Sequence, residues 1–131
     1  MTKKYLYKTK VYYEDTDIGG IVYYANYLKF IERARTEMIY QQFKINHQKL
    51  KKIHNVMFVV RTCNVKYFKS ANFEDELLIT TSMIKKTAVR LNLLQEISRN
   101  SELLVSAELE LAVVNSKGEL KKLPKDLLNT I

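Results

Sequence analysis

The sequence has 131 residues, 47% of them hydrophobic and 27% charged, which is typical of one globular domain large enough to bury a core. No apolar run approaches the roughly 20 residues that a membrane-spanning helix needs, and we expect no secretion signal. The single cysteine, Cys63, excludes an internal disulfide and favours a reducing compartment, so a cytoplasmic protein is expected. The net charge of +8 indicates either an anionic partner or lysines that serve only solubility.

A strand followed by a helix is predicted for the N-terminal third of the chain. Residues 5–13 alternate between a tyrosine-rich face and a face that carries lysines, which is typical of a β-strand. From about residue 24 to residue 42 the apolar residues recur at helical spacing, without an internal glycine or proline. A stripe this broad usually packs against a sheet, and its members are Tyr27, Phe30, Ile31, Ala34 and Met38.

Four further strands are predicted after a polar linker at residues 44–55. They span residues 57–67, 76–85, 89–99 and 103–115, and the short connections between the later ones favour antiparallel pairing. Pro124 is expected to open a short C-terminal helix. We therefore predict one α+β domain over residues 1–131, built from a long antiparallel sheet and one principal helix.

One helix covers only one face of the predicted sheet, which leaves apolar side chains on the other face. Self-association would bury that surface, so at least a homodimer is expected. The side chains concerned are Leu78, Leu94, Leu104 and Val114.

The segment between the first strand and the helix concentrates residues that can carry chemistry. Glu14, Asp15 and Asp17 are followed at once by Gly19 and Gly20. We identify Asp17 as the candidate catalytic group, because neighbouring carboxylates and cover from Tyr and Ile side chains would disfavour its charged form and raise its basicity. The alternative is that Asp17 only caps a turn or the helix that follows.

The start of the predicted helix adds a second element to this candidate site. The first backbone N–H groups, near Tyr24 and Ala25, have no partner within the helix and lie at the positive end of its dipole. Such donors can hold a thioester carbonyl oxygen as it becomes an oxyanion. A carboxylate beside free N–H donors suits acyl transfer.

Other kinds of site fit less well. The acidic segment lacks the ligands of a calcium loop, and neither a phosphate-binding glycine motif nor a serine-hydrolase elbow is present. One cysteine and two histidines do not make a zinc site, and Cys63 is expected to be a small buried side chain. No metal or cofactor is predicted. The tyrosine-rich basic strand is a weaker candidate for a platform that stacks nucleic-acid bases.

Two segments resemble a known family. Residues 13–27 read Tyr-Glu-Asp-Thr-Asp-Ile-Gly-Gly-Ile-Val-Tyr-Tyr-Ala-Asn-Tyr, and residues 30–37 read Phe-Ile-Glu-Arg-Ala-Arg-Thr-Glu. Together they resemble the signature of hotdog-fold acyl-CoA thioesterases, of the YbgC type and the related 4-hydroxybenzoyl-CoA thioesterases, and residues 67–77 resemble a later family segment. The resemblance implies a curved five-stranded antiparallel sheet wrapped around one long helix, in homodimers or homotetramers with active sites at the subunit interface.

The resemblance also implies hydrolysis of acyl-CoA to a free acid and CoA. Asp17 would attack the thioester carbon or activate a water, and the Tyr24 N–H would polarise the thioester oxygen. Lysines and arginines would hold the phosphates of CoA. The candidate substrate-binding residues are Gly20, Ile21, Val22, Lys85, Lys86 and Arg90.

The alternative function is a hotdog-fold protein that binds acyl-CoA or an acidic acyl carrier protein without turnover. Acyl-CoA is the expected partner in the first case, and an acyl carrier protein is a further candidate. Neither nucleic-acid binding nor stable membrane insertion is expected.

Overall fold

The computed structural model describes residues 3–131, in which a five-stranded antiparallel sheet packs one face against a long helix. The order of the strands in the sheet places the second strand of the chain at one edge and the first at the other. No helix among the described residues is long and apolar enough to cross a membrane. The strands are β1 (Lys4–Lys10), β2 (Met57–Tyr67), β3 (Glu76–Lys86), β4 (Arg90–Arg99) and β5 (Glu102–Val114), in the order β1-β3-β4-β5-β2.

The long helix α1 (Tyr27–Phe43) follows a 3₁₀ turn at Tyr24–Asn26 and is capped by Lys44, which adopts a left-handed conformation. All five residues of the predicted apolar stripe are buried, as expected for a helix that covers a sheet. They pack against inward-facing side chains of β3, β4 and β5. The predicted helix is thus confirmed, with its first turn wound more tightly than an α-helix.

The largest differences from the sequence-based prediction are at the end of β1 and in the linker. β1 ends at Lys10, three residues early, although Val11 still exchanges backbone hydrogen bonds of 2.9 and 3.0 Å with residues 74 and 75. The predicted linker is helical: α2 (His47–Lys49) continues into a π-helical turn at Leu50–His54. The short helix after Pro124 is present as α3 (Lys125–Leu128).

The helical turn in the linker has two physical causes. The side chain of Asn46 accepts a hydrogen bond from the Lys49 N–H at 2.9 Å, which caps the turn. Leu50 is buried in the core between the helix and the sheet, so the turn is anchored by one apolar side chain among polar ones.

Two of the four apolar side chains expected on the uncovered face of the sheet are buried instead. Leu104 and Val114 were expected on an uncovered face of the sheet, but both are buried within the protomer. A shift of register between Ile97 and Ser98 interrupts the alternation opposite the start of β5, and Val114 is covered by a bridge to Leu120. Leu78 and Leu94 remain half-buried.

Cys63 is exposed rather than buried. It lies in the middle of β2, where residues 59–64 are all exposed. β2 pairs only with β5 among the described residues, so its outer edge has no neighbour that would cover the thiol.

The register of the strands gives the sheet two distinct ends. The end of β1 lies beside the start of β3, with Lys10 opposite Glu76. The opposite end holds the turn between β3 and β4 together with the pairing of Met57 and Val114, where β2 begins and β5 finishes. These two ends separate the candidate residues described below.

Candidate active site

Asp17 lies in a tight hairpin closed by an antiparallel bridge between Thr16 and Val22. The Gly20 N–H donates to the Asp17 carbonyl at 3.1 Å, and the Asp17 N–H donates to the Ile21 carbonyl at 2.9 Å. This is the pattern of a three-residue hairpin loop, which needs a left-handed residue at its third position. Gly20 fills that position with φ +81°, where a residue without Cβ has no steric penalty.

The Asp17 carboxylate is exposed, and one of its two oxygens accepts a hydrogen bond within its own turn. Its Oδ1 accepts a hydrogen bond from the Gly19 N–H at 2.8 Å. Its Oδ2 has no hydrogen-bond partner within residues 3–131. The expectation that Ile and Tyr side chains cover Asp17 is wrong, because Ile18 points fully into solvent. Asp17 therefore caps a turn and also keeps one carboxylate oxygen free.

The other two acidic residues have different roles. Asp15 is buried, and its Oδ2 accepts the Tyr12 N–H at 2.9 Å. The Asp15 carbonyl accepts hydrogen bonds from the Tyr23 N–H at 3.0 Å and from Asn26 Nδ2 at 2.8 Å. These bonds tie the hairpin to the start of the helix. Glu14 is exposed and lies outside the cleft described next.

The 3₁₀ turn before α1 presents free backbone donors. Within the described residues, neither the Tyr24 nor the Ala25 N–H has a hydrogen-bond acceptor. The turn continues directly into the 17 residues of α1, so the positive end of the helix dipole lies behind these groups. The unpaired donors expected at Tyr24 are therefore present.

A cleft of about 400 Å³ is lined by both Asp17 and Tyr24. The hairpin and the turn before α1 form one wall, and the segment that follows β2 forms the other. Gly20 completes the hairpin beside the cleft. The lining residues are Asp17, Ile21, Val22, Tyr23, Tyr24, Tyr27, Tyr67, Phe68, Lys69 and Ser70.

Backbone hydrogen bonds join the two walls. The Val22 N–H donates to the Ala71 carbonyl at 2.9 Å, and the Phe73 N–H donates to the Gly20 carbonyl at 3.0 Å. The Tyr27 hydroxyl accepts the Ala71 N–H at 2.9 Å, and burial raises the pKa of this hydroxyl above its usual value. The hairpin, the wall and the start of α1 are thus held as one unit.

Residues 11–131 match the family model described as the Thioesterase-like superfamily. The chain belongs to this superfamily. It is 37% identical over 129 residues to the acyl-CoA thioester hydrolase YbgC of Escherichia coli O157:H7, an alignment that covers 97% of this chain and 95% of the relative.

Solved structures agree with this membership. A protein from Bartonella henselae described as a probable thioesterase is 30% identical with a TM-score of 0.86, over 95% of this chain and 100% of the other. The 4-hydroxybenzoyl CoA thioesterase of Pseudomonas sp. strain CBS-3 superposes with a TM-score of 0.91 at 17% identity, over 98% of this chain and 99% of the other. The predicted hotdog fold is confirmed.

An ion-pair network supports the outer wall of the cleft in this thioesterase-like protein. Arg99 donates to Asp75 at 2.6 Å and to Glu102 at 2.8 Å, and Lys69 contacts Glu102 at 2.5 Å. Hydrogen bonds from Lys69 and Arg99 lower the pKa of the Glu102 carboxyl. Arg99 also donates to the Ser70 carbonyl at 3.3 Å, which fixes the backbone of the wall.

The three candidate CoA-binding cations of this thioesterase-like protein do not reach the cleft within one protomer. They lie around the turn between β3 and β4, and the 11 residues of β3 span roughly 30 Å. Lys86 contacts the carbonyls of Leu128 and Ile131, and the Arg90 Nε lies 3.4 Å from a Glu110 carboxylate oxygen. Lys85 is exposed beside them.

Residues 67–70 were not among the predicted site residues, although they form a whole wall of the cleft. Their only signal in the sequence was the family resemblance of residues 67–77. Nothing in the alternation of β2 shows that the chain turns back toward Asp17 after Tyr67. Tyr27 was predicted only as a core residue of the helix, but it also lines the cleft.

Proposed function

We propose that this thioesterase-like protein hydrolyses acyl-CoA thioesters to a free acid and CoA, with Asp17 as the reacting carboxylate. The observation that carries the proposal is a cleft lined by both Asp17, whose Oδ2 accepts no hydrogen bond within residues 3–131, and Tyr24, whose backbone N–H is unpaired there. The name of the Escherichia coli relative, an acyl-CoA thioester hydrolase, supports the same reaction.

In the general-base route, Asp17 takes a proton from a water molecule whose oxygen attacks the thioester carbonyl carbon. The carbonyl oxygen becomes an oxyanion that accepts hydrogen bonds from the N–H groups at Tyr24 and is stabilised by the dipole of α1. The tetrahedral intermediate collapses with cleavage of the carbon–sulfur bond. CoA leaves as a thiolate that needs no strong general acid, and the proton held by Asp17 returns to solvent.

In the nucleophilic route, the free oxygen of Asp17 attacks the thioester carbon itself. The thiolate leaves and a mixed anhydride forms between the acyl group and Asp17. Water then hydrolyses the anhydride and restores the carboxylate. Both routes use the same carboxylate oxygen and the same oxyanion donors.

A homodimer or homotetramer is part of the proposal. β2 is an edge strand of 11 residues with exposed valines, whereas the β1 edge has seven residues and carries Lys4, Lys8 and Lys10. Lysine-rich short edges resist pairing and long apolar ones favour it, so a second copy is expected at β2. Antiparallel pairing of the two β2 strands would bring the partner's opposite sheet end, with its candidate CoA-binding cations, to the side of this cleft.

A panel of thioesters tests the proposal, with short, long and aromatic acyl groups on CoA and on acyl carrier protein. Asp17→Asn keeps the shape of the side chain but removes its charge, so we expect turnover to fall at least about 100-fold. Release of free thiol measures the reaction, and circular dichroism checks that the variant folds. Glu14→Gln removes the same charge outside the cleft and should leave turnover unchanged.

Each outcome tests a different part of the proposal. Normal turnover in Asp17→Asn would exclude Asp17 as the reacting group. Tight binding of acyl-CoA by the wild type without hydrolysis of any substrate would indicate a binding protein instead. Turnover of carrier-protein thioesters but not of acyl-CoA would mean that the substrate's acyl group is carried by acyl carrier protein and not by CoA. The reaction is proposed to take place in the cytoplasm, where an exposed free thiol such as Cys63 stays reduced.

A further inference from the structure

The positive charge of the chain is concentrated at one end of the sheet. Residues 44–55, 84–90 and 115–131 contain eleven of the 22 lysines and arginines but only two of the 14 acidic residues. Their net charge is +9, compared with +8 for the whole chain, so the remaining residues are almost neutral. We refer to these three segments as the basic end.

The three segments are joined into one surface. The Ser116 N–H donates to the Asn55 side chain at 3.0 Å, which connects the third segment to the first. The Leu123 N–H donates to the Ala88 carbonyl at 2.7 Å, which connects the third segment to the second. The basic end therefore extends across the ends of β3, β4, β5 and β2, a width of about 14 Å at the usual spacing of strands.

Each segment of the basic end repeats the same short pattern, a pair of lysines next to an exposed aliphatic residue. Ile53 follows Lys51-Lys52 and is 64% exposed. Ile84 precedes Lys85-Lys86 and is 54% exposed, and Leu120 precedes Lys121-Lys122 and is 56% exposed. The three segments contain no phenylalanine, tyrosine or tryptophan.

We propose that the basic end docks this protein on the surface of an anionic lipid bilayer. The lysines would lie among the anionic headgroups, and Ile53, Ile84 and Leu120 would enter the boundary between headgroups and acyl chains. The docking surface goes beyond the proposed hydrolysis. It shares Lys85, Lys86 and Arg90 with the candidate CoA-binding cations, so its test uses lysines outside that set.

The composition of the basic end favours a bilayer over other anionic partners. Single-stranded nucleic acid is bound through aromatic side chains that stack on bases, and these segments have none. A folded acidic carrier protein could contact the three separate aliphatic side chains only through apolar surface matched to their spacing. A fluid bilayer accepts each of them without a preformed pocket.

Co-sedimentation with vesicles tests the role of charge. The protein should bind vesicles that contain phosphatidylglycerol but not pure phosphatidylcholine, and about 1 M salt should weaken the binding because the Debye length falls to about 3 Å. Lys51→Gln/Lys52→Gln should weaken binding about 25-fold, at about fivefold per lysine. Lys8→Gln/Lys10→Gln removes the same charge from exposed positions on β1 and should have little effect.

A single-tryptophan reporter tests the insertion of the aliphatic residues. The wild type has no tryptophan, so Ile53→Trp gives an isolated signal from the basic end. Its emission should shift to shorter wavelength when anionic vesicles are added. The emission of Leu6→Trp, at a similarly exposed aliphatic position on β1, should not shift.

Several results would overturn the proposal. They are absence of binding to anionic vesicles, equal loss of binding in both lysine pairs, and an unshifted Ile53→Trp signal. A raised KM for soluble acyl-CoA in Lys51→Gln/Lys52→Gln, with vesicle binding intact, would assign the basic end to the substrate. Vesicle binding is read without turnover, so its failure is distinguishable from a failure of the proposed hydrolysis.

Discussion

Gly20 and Gly118 have nearly the same backbone conformation, with φ +81° and +80° and open space around each. An alanine in this left-handed region costs about 1–2 kcal/mol. We expect Gly20→Ala and Gly118→Ala to lower the free energy of unfolding by similar amounts. Only Gly20→Ala should also lower kcat/KM, because Gly20 completes the hairpin that holds Asp17.

Urea unfolding and thiol release compare the two alanine variants directly. Gly118 lies in the turn after β5, far along the chain from the cleft, so it controls for backbone strain alone. Equal kcat/KM in the two variants would show that the hairpin does not position the carboxylate.

His47 provides a pH-dependent contribution to stability. Its ring is half-buried, and its Nε2 is shielded from water without a partner among the described residues. Burial lowers the pKa of His47 below its usual value of 6.5, so the unfolded chain binds the proton more readily. This contribution to the free energy of unfolding is complete above pH 6.5 and is lost as the pH falls through the folded pKa.

His47→Gln should reduce the fall in the free energy of unfolding at low pH, because the variant has no titrating ring at this position. Urea unfolding at a series of pH values measures the slope. If the free energy of unfolding falls equally with pH in the wild type and in the variant, groups other than His47 cause the pH dependence.

At the residue scale, local sequence predicted that Asp17 lies near the start of the helix, but it did not predict how exposed Asp17 is. Three acids before Gly-Gly indicated a turn with a reactive group, and Asp17 does line the cleft. Asp17 is exposed because the neighbouring Ile18 side chain points into solvent and does not cover it. The direction of Ile18 depends on the geometry of the turn and not on composition. The predicted burial of Cys63 is wrong because alternation within a strand does not show whether that strand lies at an edge of the sheet.

Tyr27 links two elements, since its hydroxyl at the start of α1 accepts the Ala71 N–H from the segment before β3. Tyr27→Phe would leave that buried N–H without a partner, so we expect a loss of about 1–3 kcal/mol in the free energy of unfolding. Tyr67→Phe is the matched control, because the Tyr67 hydroxyl is exposed and lies 3.4 Å from the Tyr24 carbonyl.

The control should change the free energy of unfolding by less than about 0.5 kcal/mol, as is usual for exposed positions. Denaturant unfolding measures both variants. An equally small effect of Tyr27→Phe would mean that water replaces the lost hydroxyl at Ala71.

Strong periodicity made most elements predictable. The apolar stripe of α1 and the alternation of β3, β4 and β5 placed these elements within a few residues of their observed bounds. The helical turns at residues 47–54 were missed because they are too short to show a period, and because a single buried side chain, Leu50, anchors them.

At the scale of the whole molecule, the exposed edge of β2 predicts a dimer. Val60 on β2 is 46% exposed, and a lysine there would place charge in the expected strand-to-strand contact. Val60→Lys should therefore shift the protein toward a monomer in sedimentation velocity. Leu6→Lys at the β1 edge, where the native residue is 56% exposed, should leave the assembly unchanged.

A monomeric wild type, or dissociation caused by Leu6→Lys alone, would contradict pairing at β2. Which strands form the edges could not be read from alternation, because the order β1-β3-β4-β5-β2 arises from contacts between distant segments. The resemblance to a family supplied the overall architecture that periodicity could not.

The position of β2 at the edge has a consequence for membranes. Antiparallel pairing around a twofold axis points the two basic ends in opposite directions, so a flat bilayer can engage only one of them at a time. The other basic end stays free to meet a second bilayer. A dimer of this kind would tether vesicles to one another, and turbidity of an anionic vesicle suspension should rise with the wild type but not with a monomeric Val60→Lys protein.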